Sequence, residues 1–139
     1  MHKHLFINLG VADLKRSMDF FGKLGFTFEP KFTNDMAACM VLGENIFAML
    51  LTHDFMRGFT DKPLANAHET TEVLTCLSCE SRAEVDGLVE KALAAGGTSK
   101  RPPIDCDDRM YGRSFEDPDG HIWELMYMSP EAVEKGAHG

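Results

Sequence analysis

Chemistry in this chain would fall first to Glu124. It stands in the run from His121 to Met128, directly after Asp117-Pro118-Asp119-Gly120. A carboxylate among strand-like apolar neighbours is either a metal or proton-transfer group or a buried acid paired with a cation. Arg113, near the middle of an adjoining strand-like segment, is a candidate for that cation. In Tyr111-Gly112-Arg113 the glycine permits a bulge or a close ligand approach, so Tyr111 and Arg113 either bind an oxyanion or aromatic ring or lie along an exposed strand edge. Asn8 sits in an otherwise apolar run, and a buried amide needs partners. It is either tied to a neighbouring side chain or available to a ligand. Trp123 alternates with Glu124 and is expected on the opposite face, against a helix or a subunit partner. His121, which opens its strand straight after a turn, is expected at the surface.

Cys76 and Cys79 form a C-x-x-C, but on a strand residues three apart face opposite ways, which makes them a poor chelate. They read as two small core or surface thiols. Four cysteines, scattered along the chain, are too few for a disulfide scaffold. The remaining composition is that of an average folded domain: 139 residues, 44% hydrophobic and 26% charged, enough to bury one core but not two. A formal charge of −8 with 14 scattered Lys and Arg disfavours nucleic acid and tolerates cationic small molecules. No apolar run approaches the roughly 20 residues of a membrane span, and Met1-His2-Lys3-His4 passes straight into a strand-like segment without a signal-peptide pattern. The expected location is the cytoplasm.

The elements that would position these residues come in two rounds. Residues 4–11 predict a strand, Asp13 a helix cap, and Leu14, Met18, Phe21 and Leu24 an apolar stripe on a helix ending near Gly25. Strands follow at Phe26–Phe28, Ala38–Leu42 and Ile46–Thr52, the last two joined by Gly43-Glu44-Asn45, whose Gly and Asn tolerate positive φ. Residues 53–71 show no sustained period and are expected to be a linker with room for one helical turn. The second round opens with a strand at Glu72–Cys79. Ser81 and Glu84 then form a capping box for a helix with Val85, Leu88, Val89, Ala92 and Leu93 on one face, stopped at Gly96-Gly97. A short strand near Thr98–Arg101, a Pro102-Pro103 break, and strands at about Met110–Glu116 and His121–Met128 complete it. The turn Asp117–Gly120 has Pro at its second position and Gly at its left-handed one. Residues 129–139 hold no large apolar side chain and are expected to be a loosely docked or frayed tail.

Strand, capped helix, glycine and three strands, written twice about 70 residues apart, predict an α+β domain spanning residues 1–139. It is built from two βαβββ units, 4–52 and 72–128, in a curved, barrel-like mixed sheet with helices outside and a small-molecule pocket in the cup. Met36, Met40, Met49, Met126 and Met128 either line that cup softly, suiting an aromatic or hydrophobic ligand, or fill an ordinary core.

Val11-Ala12-Asp13-Leu14, Ser17, Phe20-Phe21, Leu24-Gly25-Phe26, Ala95-Gly96-Gly97 and above all Glu116-Asp117-Pro118-Asp119-Gly120-His121-Ile122-Trp123-Glu124-Leu125 resemble the vicinal oxygen chelate superfamily. That group contains glyoxalase I, extradiol dioxygenases and the bleomycin- and fosfomycin-resistance proteins. The resemblance covers residues 4–128 and implies a divalent metal at the floor of the cup, chelating two substrate oxygens and stabilising an enediolate or catecholate while a carboxylate moves the proton. It places the fourth metal ligand, with a catalytic role, on Glu124. The other three ligand positions fall on Phe6, Met49 and, within two residues, Leu74; the first two cannot hold a hard metal. Glu72 could take the third position by a slip in register. Side chains two apart share a face, so His4 and Asn8 flank Phe6 while His53 follows Met49. An unorthodox metal site from His4, His53, Glu72 and Glu124 is one alternative, and solvated or hydrogen-bonded histidines are the other.

The resemblance thus implies a glyoxalase-like protein that binds or acts on a small molecule, with Phe6, Asn8, Met49, Leu74, Tyr111 and Arg113 contacting it. One reading is a lactoylglutathione lyase or dioxygenase type of enzyme with an incomplete metal site. The alternative is a metal-free module that sequesters a cationic or aromatic drug-like ligand. The cofactor is either a divalent Zn, Ni, Mn or Fe ion or none. The resemblance further implies a homodimer.

Overall fold

Asp13, two residues past the first strand, starts the first helix: its backbone is extended and its carboxylate accepts a hydrogen bond from Arg16 N at 3.1 Å, satisfying one of the free amides of the first turn. The structure, a computed structural model, describes residues 1–136. The chain divides into two compact units, Met1–Asn66 and a second from Ala67 onwards.

The first unit runs β1 (Leu5–Val11), α1 (Leu14–Lys23), β2 (Thr27–Phe28), a single 3-10 turn (Pro30–Phe32), β3 (Ala37–Gly43), β4 (Ile46–Thr52) and α2 (His53–Arg57). The second runs β5 (Leu74–Cys79), α3 (Arg82–Ala94), β6 (Ile104–Cys106), β7 (Met110–Glu116), β8 (Ile122–Met128) and α4 (Pro130–Lys135). Each unit holds one four-stranded mixed sheet, in the orders β1-β4-β3-β2 and β5-β8-β7-β6. The expected α+β class with two βαβββ units is therefore present, down to the parallel pairing of first and last strand in each.

Both long helices close identically. Gly25 and Gly96 take φ of +100° and +102°, and the next residue's N–H reaches back five positions, Phe26 N to Phe21 O at 3.1 Å and Gly97 N to Ala92 O at 2.8 Å. Glycine is needed there because other residues resist the left-handed conformation. The stripe on α1 buries Leu14, Phe20, Phe21 and Leu24 against β3 and β4, each large side chain contributing roughly 1.5–3 kcal/mol of burial. On α3, Val85, Val89 and Ala92 are fully buried. Ser81 caps it as the sequence implied, accepting from Glu84 N at 3.0 Å, but the return arm of the box reaches Glu80 N, also at 3.0 Å.

Four local expectations are corrected. The strand near Thr98–Arg101 is a lone bridge from Thr98 to Glu116, and the strand proper comes after Pro102-Pro103, because prolines have no N–H for a ladder. The tail from residue 129 forms α4: Ser129 accepts from Ala132 N at 3.1 Å, Pro130 occupies the first turn and Ala132 is buried. Residues 137–139 of that expected tail lie outside the described residues. The turn Gly43-Glu44-Asn45 closes without positive φ. The fourth concerns His121, which is only 6% exposed: its Nδ1 lies 3.0 Å from Glu72 Oε1, and the turn it follows folds inward.

That inward fold is the work of Asp117. Its Oδ1 accepts from Asp119 N at 2.9 Å and His121 N at 3.0 Å, and its Oδ2 from the indole Nε1–H of Trp123 at 3.0 Å. Burial pushes its carboxyl above the usual range, while the nearby His121 and the indole hydrogen bond pull the other way. Gly120, at φ +84°, passes so close to the chain at Ala67–His68 that a Cβ would stand 2.7 Å from His68 N. The stretch Asp117–Glu124 is thus first a device that folds a turn and fixes Trp123, which is 1% exposed.

Candidate functional site

Strand alternation gives each sheet one face towards its long helix and one away from it. In the second unit Thr75, Tyr111, Phe115, Trp123 and Leu125 are buried on the α3 side, which leaves Leu74 and Cys76 of β5, Gly112 and Ser114 of β7, and Ile122, Glu124 and Met126 of β8 on the other. Glu124 stands at the centre of that face, paired in register with Cys76 on one side and Ser114 on the other. A hollow of about 380 Å³ opens over it. Its walls include Leu74, Pro102, Pro103, Ile104, Ile122 and Met126, with Arg101, Ser114 and Glu124 as polar residues along them; Arg113 borders it as well.

Arg113 is not the partner of Glu124. Its guanidinium turns to α3, with Nη1 donating to Asp86 Oδ1 at 3.0 Å and to Glu90 Oε1 at 3.1 Å. The Tyr111 hydroxyl donates to the same Asp86 oxygen at 2.6 Å, and its ring, 8% exposed, is covered by the Arg82 guanidinium 4.2 Å above the centroid. Tyr111 and Arg113 share parity along β7, so both face the helix and neither forms an exposed edge. The phenol's hydrogen bond, then the guanidinium's, draw the Asp86 carboxyl below its ordinary range. Among the described residues no Lys, Arg or His forms an ion pair with Glu124.

Cys76, expected from the sequence only as a small core or surface thiol, is the in-register neighbour of Glu124 on β5. Burial and then the charge of Glu124 push its thiol up. Cys79 faces the other way, buried beside Glu84, and is pushed up to about 11. Register in a parallel pair has no local sequence signature, since the two strands are joined through the whole of α3, β6 and β7; only the alternation of β5 hinted that Cys76 looks away from the core.

In the first unit the corresponding row is Asn8, Met49 and Cys39, matched across β1, β4 and β3. Asn8 lines a small hollow of about 240 Å³ with Leu51, Met56, Phe59 and Thr60. Phe6 stacks on Phe47 at 5.0 Å between centroids, with His4 tilted at 6.2 and 6.1 Å from the two rings. His53 begins α2 and lies against Gly10, where a Cβ would meet its ring at 3.3 Å and Met56 Sδ at 2.9 Å. Of the residues singled out from sequence, the structure thus brings together Leu74 and Glu124 around one hollow, Asn8 with Met49, and Phe6 with His4, while Arg113 borders the hollow with its guanidinium turned to α3. Glu72 is engaged with His121.

A divalent metal does not fit these donors. Of Phe6, Met49, Leu74 and Glu124 only the last can ligate a hard cation, and the thiol beside it is held in its protonated form. Among the described residues no three His, Cys, Asp or Glu side chains gather in a way that would hold a metal ion, and no helix is long and apolar enough to cross a membrane.

The family model described as the glyoxalase/bleomycin resistance protein/dioxygenase superfamily matches residues 3–125. No curated protein matches the chain. Among solved structures, a hypothetical protein, SA1046, from S. aureus is 28% identical with a TM-score of 0.76, covering 91% of this chain and 94% of its own. A glyoxalase-related enzyme from Fulvimarina pelagi is 23% identical with a TM-score of 0.75, over 91% and 88%. The fosfomycin resistance protein FosX from Listeria monocytogenes, complexed with Mn(II) and sulfate, is 20% identical with a TM-score of 0.71, over 99% and 100%. The last two likenesses are to the fold.

Proposed function

The chain belongs to the glyoxalase/bleomycin resistance protein/dioxygenase superfamily, whose model spans residues 3–125, and from that premise we propose that it binds a small organic cation with an apolar or aromatic body, anchored by Glu124. The observation that carries this reading is a carboxylate at the centre of a largely apolar hollow with no cation of the described residues paired to it. Glu124 is half-buried, and a partly desolvated carboxylate favours a positive partner; Arg101 lies along the wall without pairing to it, and a ligand's ammonium group can supply the charge. The volume, about 380 Å³, is in the range of small-molecule sites. The net charge of −8 adds a field that favours cations. Leu74, Ile122 and Met126 would hold the apolar body, and on the first unit Phe6, Asn8 and Met49 present a similar mix of rings, amide and thioether. Metal-dependent lyase or dioxygenase chemistry is not the reading these donors support. Pairing into a homodimer agrees with the superfamily's habit and is a matter for sedimentation.

The test is calorimetric titration with benzylammonium and with its neutral isostere benzyl alcohol. Glu124 should favour the cation by about 1–2 kcal/mol, roughly 5- to 30-fold, and Glu124→Gln should erase that preference while leaving benzyl alcohol unchanged. Equal affinity for the two compounds, or an unaltered preference in the Gln protein, overturns the reading. Stoichiometric uptake of Zn, Ni, Mn or Fe(II) that raises Tm and is lost in Glu124→Gln would restore the metal reading instead.

A further inference from the structure

We propose that residues 101–109 form a movable wall of the Glu124 hollow and that Arg82 is the positioning residue that latches it; the ligand part of the inference rests on the binding role given above. Four of the lining residues, Arg101, Pro102, Pro103 and Ile104, come from this one segment. It meets the sheet only through β6, three residues paired with Met110–Gly112 at the outer edge of the order β5-β8-β7-β6. Upstream it is tied at Thr98, bridged to Glu116, and at Ser99, whose hydroxyl donates to Ser114 O at 2.6 Å. Between that anchor and β6 stand two prolines, which donate nothing to any ladder. Downstream, Asp107 takes the left-handed φ of 58°, an uncommon conformation for a residue with a Cβ. Outside β6 and one bond at the downstream end, where Arg109 O accepts from Ser129 N at 2.8 Å, little backbone hydrogen bonding among the described residues holds the wall in place.

A side chain does. Arg82, at the first position of α3, spans to the segment with a two-pronged grip on Asp105, Nη1 to Oδ1 at 3.2 Å and Nη2 to Oδ2 at 2.9 Å, and Nη1 also donates to Asp107 O at 3.0 Å. The plane of the same guanidinium lies over Tyr111, and Tyr111 is pinned to Asp86 one helical turn further along α3. The planar fork is what arginine provides and lysine does not. Arg82 and Asp105 are about half exposed, at 44% and 49%, so water and salt weaken the grip. A contact that is geometrically specific but solvent-screened suits a latch that releases. A permanently closed wall would need burial that this segment lacks.

The test compares wild type, Arg82→Lys, Arg82→Ala and Asp105→Asn as full chains by amide hydrogen exchange and by the binding kinetics of benzylammonium. Exchange at Ile104, Asp105 and Cys106 should rise about tenfold in Arg82→Ala and Asp105→Asn, and to an intermediate degree in Arg82→Lys, while amides of Val85–Ala92 keep their protection. Benzylammonium should dissociate several-fold faster in the same variants, whereas a purely structural tie would leave its rates alone. Unchanged exchange at residues 104–106 overturns the latch, and faster exchange with unchanged dissociation overturns the wall. If Arg82→Ala loses protection throughout α3, Asp105→Asn, which leaves the helix intact, decides the matter. Absence of benzylammonium binding in wild type defeats the ligand reading alone, and the exchange data then judge the latch by themselves.

Discussion

Replacing Asp117 by Asn removes one charge and no volume, and its cost can be worked from the three hydrogen bonds the carboxylate accepts. Oδ1 serves the backbone N–H groups of Asp119 and His121, and Oδ2 serves the indole of Trp123. An amide has one oxygen. If it faces the two backbone groups, its NH₂ confronts the indole N–H, donor against donor; if it is turned, two backbone donors lose their acceptor. Losing a charge-assisted bond costs about 1.5–3 kcal/mol and stranding a buried donor about 1–3 more, while release from burying the charge, which raises the carboxyl's pKa, offsets part of that. The net destabilisation is about 2–4 kcal/mol, or a Tm lower by roughly 8–16 °C for a domain of this size. The chain has a single tryptophan, so urea unfolding followed by its fluorescence reports from the site itself. The pH dependence has a defined sign. Because burial holds the folded-state pKa above the ordinary carboxylate range, protonation favours the native state. The group's stabilising effect is full below that range and is lost as pH rises through the folded pKa, so the deficit of Asp117→Asn relative to wild type should widen on acidification. A loss under about 0.5 kcal/mol, the level of an ordinary surface change, or a deficit that narrows as pH falls, would refute the account of Asp117 as the organiser of the turn.

Gly120→Ala should cost about 2–4 kcal/mol, combining left-handed strain with a Cβ forced to 2.7–2.9 Å from backbone atoms of Ala67 and His68. Gly25→Ala, also left-handed but with nothing within 4 Å of the added carbon, should cost only about 1–2 kcal/mol; equal losses in thermal unfolding would show that the close approach at Ala67–His68 does not matter. Among the thiols, Cys76, which is exposed, should react with a disulfide reagent well before the buried Cys39 and Cys79. Glu124→Gln should then speed Cys76 by about twofold or more at pH ~8, by removing the charge that raises its pKa. An unchanged rate in stopped-flow labelling would mean that the two side chains do not sense each other.

Much of the fold was legible because its signals are local. Asp13 and Ser81 as caps, Gly25 and Gly96 as stops, and the two-residue beat of the strands each act within one turn or one strand. The errors came where a distant contact decides. Nothing near His121 says that Glu72 will meet it, and the acidic turn that announces the family gives no local hint that Asp117 reaches forward to Trp123. Arg113 looked like the cation for Glu124 because both lie mid-strand in neighbouring segments, but the register pairs Glu124 with Ser114 and Arg113 with Leu125, one residue out of phase and so on the opposite face. That Cys76 stands beside Glu124 is hidden from the sequence for the same reason. The segment after Met128 lacks large apolar groups and so carries no strong sequence sign of docking, yet Ser129, Pro130 and one buried alanine suffice to seat a helix.

The alternation along β8 divides labour within one strand. Trp123 and Leu125 point into the core, while Ile122, Glu124 and Met126 line the hollow, so on the proposed reading the groups that would decide what is held are not those that keep the protein folded. Recognition can therefore be rewritten at every second residue without renegotiating the architecture, and a scaffold so arranged can change its clientele by single substitutions while its skeleton stands still.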